Sequence, residues 1–309
     1  MTETSWHITD GGKPECPEGF SWHHLDGHDD AAIRWLDDQP DLLPTARFSL
    51  TAVETRPRCQ PIEDGVIINL RGLREIETDE GDELVSIRIW AQKGRVISLC
   101  FRRMAGLVEL RRAMEAGKFL DPGDLIAALA MHITHQLDPV VADLGDAVDE
   151  CEISLSGDSA HVLRRGIAEA RSKAINYRRF IVPQRQALEN MATIEMAWIE
   201  DDDRVHLREA ADRFARMAEE LEAVRERSAL LHEQLTDLRA EKIDRRSLVI
   251  AIVAMIFLPL TFVTGLFGMN VDGIPYQHHP LSFWAVTGFS VVVGVVVTAY
   301  FVLANWFRN

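Results

Sequence analysis

The chain changes character twice along its length. Up to residue 246, charged positions recur every few residues and the apolar ones fall into short patterned runs. From Ser247 to Phe267, and again from Leu281 to Phe307, no charged side chain occurs. Each run is about the length of helix needed to cross a hydrocarbon core of roughly 30 Å. The pattern predicts two C-terminal transmembrane helices, over 247–267 and 281–307, joined by an external loop at 268–280.

The patterning of the remainder is mixed at first and then helical. VIINL (66–70), LVSIRIW (84–90) and VISLCF (96–101) are β-branched and apolar, with Gly-Asp and Lys-Gly punctuation between some of them. They predict strands within a small α/β domain over 1–120. From Asp121-Pro122 onward, apolar residues recur at helical spacing, so 121–203 reads as a helical region. Its second helix runs from about Ser159 to Met191, with a bend expected at Pro183. After the acidic stretch Glu200–Asp203, the residues Phe214, Met217, Leu221, Val224, Ser228, Leu231, Leu235 and Leu238 step by three and four. Neither Gly nor Pro interrupts Arg204 to Leu258. This predicts a stalk helix over 204–246 that runs on into the first span, more than about 80 Å in all at 1.5 Å per residue. Such a helix is not stable alone in water, so packing against copies of itself is expected.

Charge sets the orientation. Arg239, Lys242, Arg245 and Arg246 crowd the entrance of the first span and Arg308 follows the second, whereas the loop between the spans has no Lys or Arg. The positive-inside bias therefore puts both termini in the cytoplasm. The opening MTETSWHITDGGKPE has neither a basic n-region nor an apolar h-region, so no cleavable signal is expected. A net charge of -15 disfavours nucleic acid as a partner and suits a surface that handles cations. Cys16, Cys59, Cys100 and Cys151 lie far apart with no paired spacing, which fits a reducing compartment rather than a zinc knuckle. Without a Walker loop, a nucleophile elbow or a metalloprotease helix signature, the chain is not expected to be an enzyme or to carry a prosthetic group.

The chemistry concentrates where the first span ends, in PLTFVTGLFGMNVDGIPYQHH (259–279). Pro259-Leu260-Thr261 followed by Gly268-Met269-Asn270, with two C-terminal spans and a long preceding helix, resembles the CorA superfamily of divalent-metal transport proteins. The resemblance extends over the whole architecture and implies a CorA-like homopentamer in the inner membrane. The continuation Val271-Asp272-Gly273-Ile274-Pro275 is more similar to the ZntB zinc branch than to the magnesium branch with its acidic loop. It departs from the zinc branch at Asp272, where glycine is more usual. The resemblance implies that Gly268, Met269 and Asn270 form the ion-selecting motif.

Physical chemistry agrees with that role for Asn270. An amide oxygen is a hard acceptor that holds a hydrated divalent ion without trapping it as a carboxylate would. Gly265 and Gly268 permit close helix approach and a backbone turn. Going inward, Thr261, Leu258, Ala254, Ile250 and Ser247 share one helical face. In the resemblance this is the pore face: Thr261 offers a hydroxyl to hydrated ions, Leu258 and Ile250 form apolar constrictions, and Ser247 marks the inner mouth. Asp272, His278 and His279 in the loop are candidates for attracting or binding the metal and for coupling to protons.

Other groups invite a metal reading with less force. His132 and His135 lie three apart on a helix, with Asp138 and Asp143 nearby, and Asp143, Asp146, Asp149 and Glu150 form an acidic stripe. The commoner fate of each is a packed or solvated face. Near the start, SWHHLDGHDD gathers His23, His24, Asp26, His28, Asp29 and Asp30. The resemblance makes Trp22, His24 and Leu25 part of a first strand, and the rest then caps a helix beginning near Ala31.

The sequence therefore predicts a transporter of divalent cations, with zinc first and proton coupling open. A magnesium, cobalt or nickel channel of the same fold is the alternative. A membrane-anchored scaffold or sensor that moves no ions is the alternative from a different class.

Overall fold

The computed structural model describes residues 6–9, 20–53, 55–75, 83–154, 160–269 and 279–303. The chain divides into two compact units, Met1–Glu233 and Gln234–Asn309.

The first unit is built on a six-stranded sheet of β1 (Trp6–Thr9), β2 (Ser21–Asp26), β3 (Arg58–Ile62), β4 (Gly65–Leu73), β5 (Leu84–Gln92) and β6 (Arg95–Cys100). The order is β1-β2-β6-β5-β4-β3, with β2 and β6 parallel and every other pair antiparallel. The three apolar runs of the sequence occupy β4, β5 and β6. Trp22, His24 and Leu25 lie in the second strand, not the first, because Trp6–Thr9 pairs ahead of them. Four residues carry too little periodicity to be recognised as a strand.

Period-two alternation gives the sheet two apolar faces. Leu25, Ile67, Trp90, Ile97 and Leu99 point to one side and pack with Ala32 and Leu36 of α1 (Asp30–Asp37) and Ala46 and Leu50 of α2 (Pro44–Thr51). On the opposite face Trp22, Ile87, Ile89, Val96 and Ser98 meet Leu110 of α3 (Leu107–Glu115) and Leu125, Ile126 and Leu129 of α4 (Pro122–Ile153), around a cavity of about 10 Å³. The result is a helix–sheet–helix sandwich.

Helix α5 (Ala160–Thr193) continues through Pro183. Its next residue, Gln184, is buried and clasps the backbone of β4: Oε1 accepts from Arg71 N at 2.6 Å and Nε2 donates to Arg71 O at 3.0 Å. The register of β3 on β4 ends at Asn69, so the glutamine supplies the ladder bonds that the neighbouring strand does not. Helix α6 (Asp201–Phe267) begins in the first unit and crosses the division between the units. Helix α7 (Ser282–Leu303) follows it.

Among the described residues, three helices are long and apolar enough to cross a membrane: α4, α6 and α7. In α4 half of the most apolar stretch is buried in the sandwich, against 6% in α6 and none in α7. The apolarity of α4 is accounted for by its own domain. Most of the apolar surface of α6 and α7 is left exposed among the described residues and requires lipid or further subunits to cover it.

Candidate ion pathway

Ser247, Ile250, Ala254, Leu258 and Thr261 all lie on the outward part of α6, and all are exposed, Ile250 at 69% and Leu258 at 71%. The sheltered positions of the same stretch are Leu248, Ile252, Ile256, Leu260 and Val263, with Ile252 only 7% exposed. At about 100° per residue the two stripes are centred roughly 180° apart around the helix. In α7 the less exposed residues Ser282, Val286, Ser290, Val293, Gly294 and Val297 also form one stripe. The two sheltered stripes suit packing of α6 on α7 within this unit. The Ser247–Thr261 stripe lies on the side of α6 opposite these sheltered positions.

Local chemistry shapes the end of α6. Thr261 Oγ1 donates to the Phe257 carbonyl at 2.7 Å, keeping its oxygen lone pairs as acceptors while satisfying its proton. Pro259 lacks the N–H that would close the bond to residue 255. The helix ends with Gly268 N donating to Thr264 O at 2.9 Å. A Cβ at residue 268 would sit 3.0 Å from that same carbonyl, so glycine is the residue that fits this tight end. Met269 is half exposed beside it. Asn270, Asp272 and His278 lie outside the described residues. His279 opens α7: its Nδ1 accepts from Leu281 N at 3.3 Å and its carbonyl accepts from Ser282 N at 3.1 Å.

The remaining metal candidates have other occupations. His23 stacks on Trp35 at 4.7 Å between ring centres. His24 and Trp22 meet over the Ser98 hydroxyl, which accepts from Trp22 Nε1 at 2.9 Å and lies 2.8 Å from His24 Nδ1. Burial holds the His24 imidazole neutral by lowering its pKa to about 4, against a smaller opposing effect of Asp26. Asp26 accepts from His28 N, and Asp29 caps α1 through Ala31 N. His132 is pressed against Gly106, and its Nε2 faces the Gln136 amide at 2.9 Å. Burial, offset in part by Glu109, lowers its pKa. Asp149 and Glu152 both engage Arg227 of α6. Among the described residues, no three His, Cys, Asp or Glu side chains converge as a metal cluster.

One grouping is not legible in the sequence. Asp121 caps α4, its Oδ1 accepting from Gly123 N at 2.7 Å and Asp124 N at 3.1 Å. Asp203, 1% exposed in the first turn of α6, accepts from Glu200 N at 2.8 Å. Its carboxylate lies so close to Gly123 that a Cβ there would be 2.0 Å from Oδ2. Desolvation, then Asp121, Asp124 and Glu200, push the Asp203 pKa up to about 7 against the Glu200 N–H bond. The DP and EDDD motifs are recognisable as helix starts, but nothing in the linear order says that two starts meet.

Comparison with known proteins sets this geometry in context. Residues 17–303 match the family model for the CorA-like Mg2+ transporter protein. The chain belongs to the CorA family. Among CorA-family relatives it is 32% identical over 264 residues to the zinc transport protein ZntB of Photorhabdus laumondii, covering 85% of this chain and 80% of that one. It is also 32% identical over 271 residues to the divalent cation transporter CmaX of Pseudomonas aeruginosa, covering 87% and 82%. The solved structure of a full-length CmaX protein superposes with a TM-score of 0.75 at 28% identity, over 96% of this chain and 99% of that one.

Proposed function

We propose that this chain carries divalent metal cations across a membrane, zinc foremost, through a path lined by the Ser247–Thr261 stripe and selected at Asn270. The observation that carries the reading is the stripe itself, which is exposed along α6 and opposite the side sheltered in this unit. The Gly-Met-Asn motif begins seven residues beyond the stripe's last member, Thr261. A single copy has no second wall for a pore. Five copies arranged about an axis would supply it and turn Asn270 into a ring of amides. The stripe spans about 21 Å at 1.5 Å per residue, enough for most of a bilayer's hydrocarbon depth.

In this arrangement Asn270 oxygens accept from the water shell of the incoming ion, and Asp272 raises the local cation concentration. The Thr261 hydroxyl oxygens receive the ion next. Leu258 and Ile250 form dry constrictions that close by dewetting. Ser247 releases the ion on the cytoplasmic side, where Arg239, Lys242, Arg245 and Arg246 fix the orientation and both termini lie. Asp272, His278 and His279 are the candidates for proton coupling.

The choice of zinc rests on the loop Val271–Pro275. Overall similarity does not decide it, since the zinc transport protein and the divalent cation transporter match equally, at 32%. Flux of zinc and magnesium into proteoliposomes, with Asn270→Ala as control, tests the proposal. Zinc flux that the substitution abolishes supports it, and magnesium flux without zinc flux overturns the metal assignment. Absence of any divalent flux leaves the membrane-anchored scaffold as the better reading.

A further inference from the structure

Away from the membrane segments, α5 and α6 leave a cleft of about 280 Å³ between them, lined by Ile167, Ala168, Arg171, Ser172, Ile175, Ser228 and His232. Its origin is legible in the residues. Ala168 and Ser172 on α5 and Ser228 on α6 are small where larger side chains would interlock, so the helices diverge around a space.

The cleft has a polar end and an apolar wall. Ser228 is fully buried, yet its Oγ has no hydrogen-bond partner among the described residues. A buried hydroxyl left unpaired is costly, so it marks a place where a partner is missing. Arg171 is exposed and has no acidic partner among the described residues. By contrast, Arg165, Lys173, Arg178 and Arg185 of the same helix are all paired with glutamates. Although the whole chain carries a net charge of -15, α5 holds seven basic residues against two acidic ones. Arg171 is the member of this surplus that lines the cleft, and it brings a positive charge to the opening. Ile175, about half exposed, supplies hydrocarbon contact at the opening, and the buried Ile167 lines the wall.

We propose that the α5–α6 cleft binds a small organic oxyanion with a short apolar tail, its head held by Arg171, Ser172, Ser228 and His232 and its tail lying on Ile175. The guanidinium supplies charge-assisted donors, and the Ser228 hydroxyl gains the partner it lacks. A site of this volume takes a ligand of the size of a short-chain carboxylate. The proposal is independent of which metal is carried, because no residue of the stripe or of the Gly-Met-Asn motif takes part.

Titration calorimetry of the full-length protein in detergent with acetate, pentanoate, pentylamine and inorganic phosphate tests it. The expected result is one saturable pentanoate site per chain, weaker acetate and phosphate binding, and none for pentylamine. Arg171→Gln, an exposed substitution that leaves the helix intact by circular dichroism, weakens pentanoate roughly tenfold or more, and Ser172→Leu, which fills the cleft, abolishes it. Equal affinity for acetate and pentanoate, binding indifferent to both substitutions, or no saturable binding of either anion overturns the proposal.

Discussion

Replacing Asp203 by Asn removes a charge from the point where the starts of α4 and α6 meet. The asparagine oxygen still accepts the Glu200 N–H bond, so packing and capping are preserved while the ionised form is lost. In the folded chain the Asp203 pKa lies near 7, raised first by desolvation and then by Asp121, Asp124 and Glu200. In the unfolded chain it returns to about 3.9. Because the folded pKa is the higher one, stability from this group is complete below the unfolded value and is lost as pH rises through about 7. Between pH 5 and pH 8 the loss corresponds to about two pKa units, or roughly 3 kcal/mol. The neighbouring Asp121 is also raised, first by burial. Thermal unfolding of the full-length protein and of Asp203→Asn, in the same detergent at both pH values, measures the difference. The variant should exceed the parent by only a few degrees at pH 5 and by about 5–10 °C more at pH 8. Equal shifts at both pH values, or a destabilised variant at pH 8, would refute the assignment of a strained carboxylate.

Ser98→Ala leaves two buried groups, Trp22 Nε1 and His24 Nδ1, without the hydroxyl they share. A loss of about 2–3 kcal/mol is expected, read as a lower denaturation midpoint with the membrane helices still formed. Gly106→Ala puts a methyl 1.7 Å from His132 Nε2 at a backbone φ of 83°, so it should cost at least about 2 kcal/mol, measured the same way. Arg227→Ala removes exposed pairings to Asp149 and Glu152 and should cost no more than about 1 kcal/mol, with any larger loss pointing to a role beyond those ion pairs.

The membrane-facing half of the molecule is the easiest to read because a hydrocarbon solvent leaves the most uniform signature, long uncharged runs. The stalk stripe from Phe214 to Leu238 is equally plain, since apolar steps of three and four sustained over many turns match the helical period and no strand period. α4 shows where composition alone falls short: its apolarity also fits a span, and only the sheet packed against Leu125, Ile126 and Leu129 reveals that its apolar face is already used. Long-range pairings are invisible for a related reason. The clasp of Gln184 on Arg71, the meeting of Asp121 with Asp203 and the empty place beside Ser228 each join positions far apart in the chain, and no local pattern encodes them. The histidine-rich SWHHLDGHDD shows the opposite hazard. Its residues look like a metal site in one dimension, but alternation along β2 sends His23 and His24 to opposite faces of the sheet.

The ion path is proposed to run along the side of α6 opposite Ile252, Ile256 and Val263. In a background with the native cysteines replaced by alanine, single cysteines at 254, 258 and 261 and at 252, 256 and 263 can be challenged with a charged thiol reagent during zinc flux into proteoliposomes. Flux should be blocked at Ala254→Cys, Leu258→Cys and Thr261→Cys and persist at Ile252→Cys, Ile256→Cys and Val263→Cys. Block at the second set with persistence at the first would place the path on the wrong side of the helix.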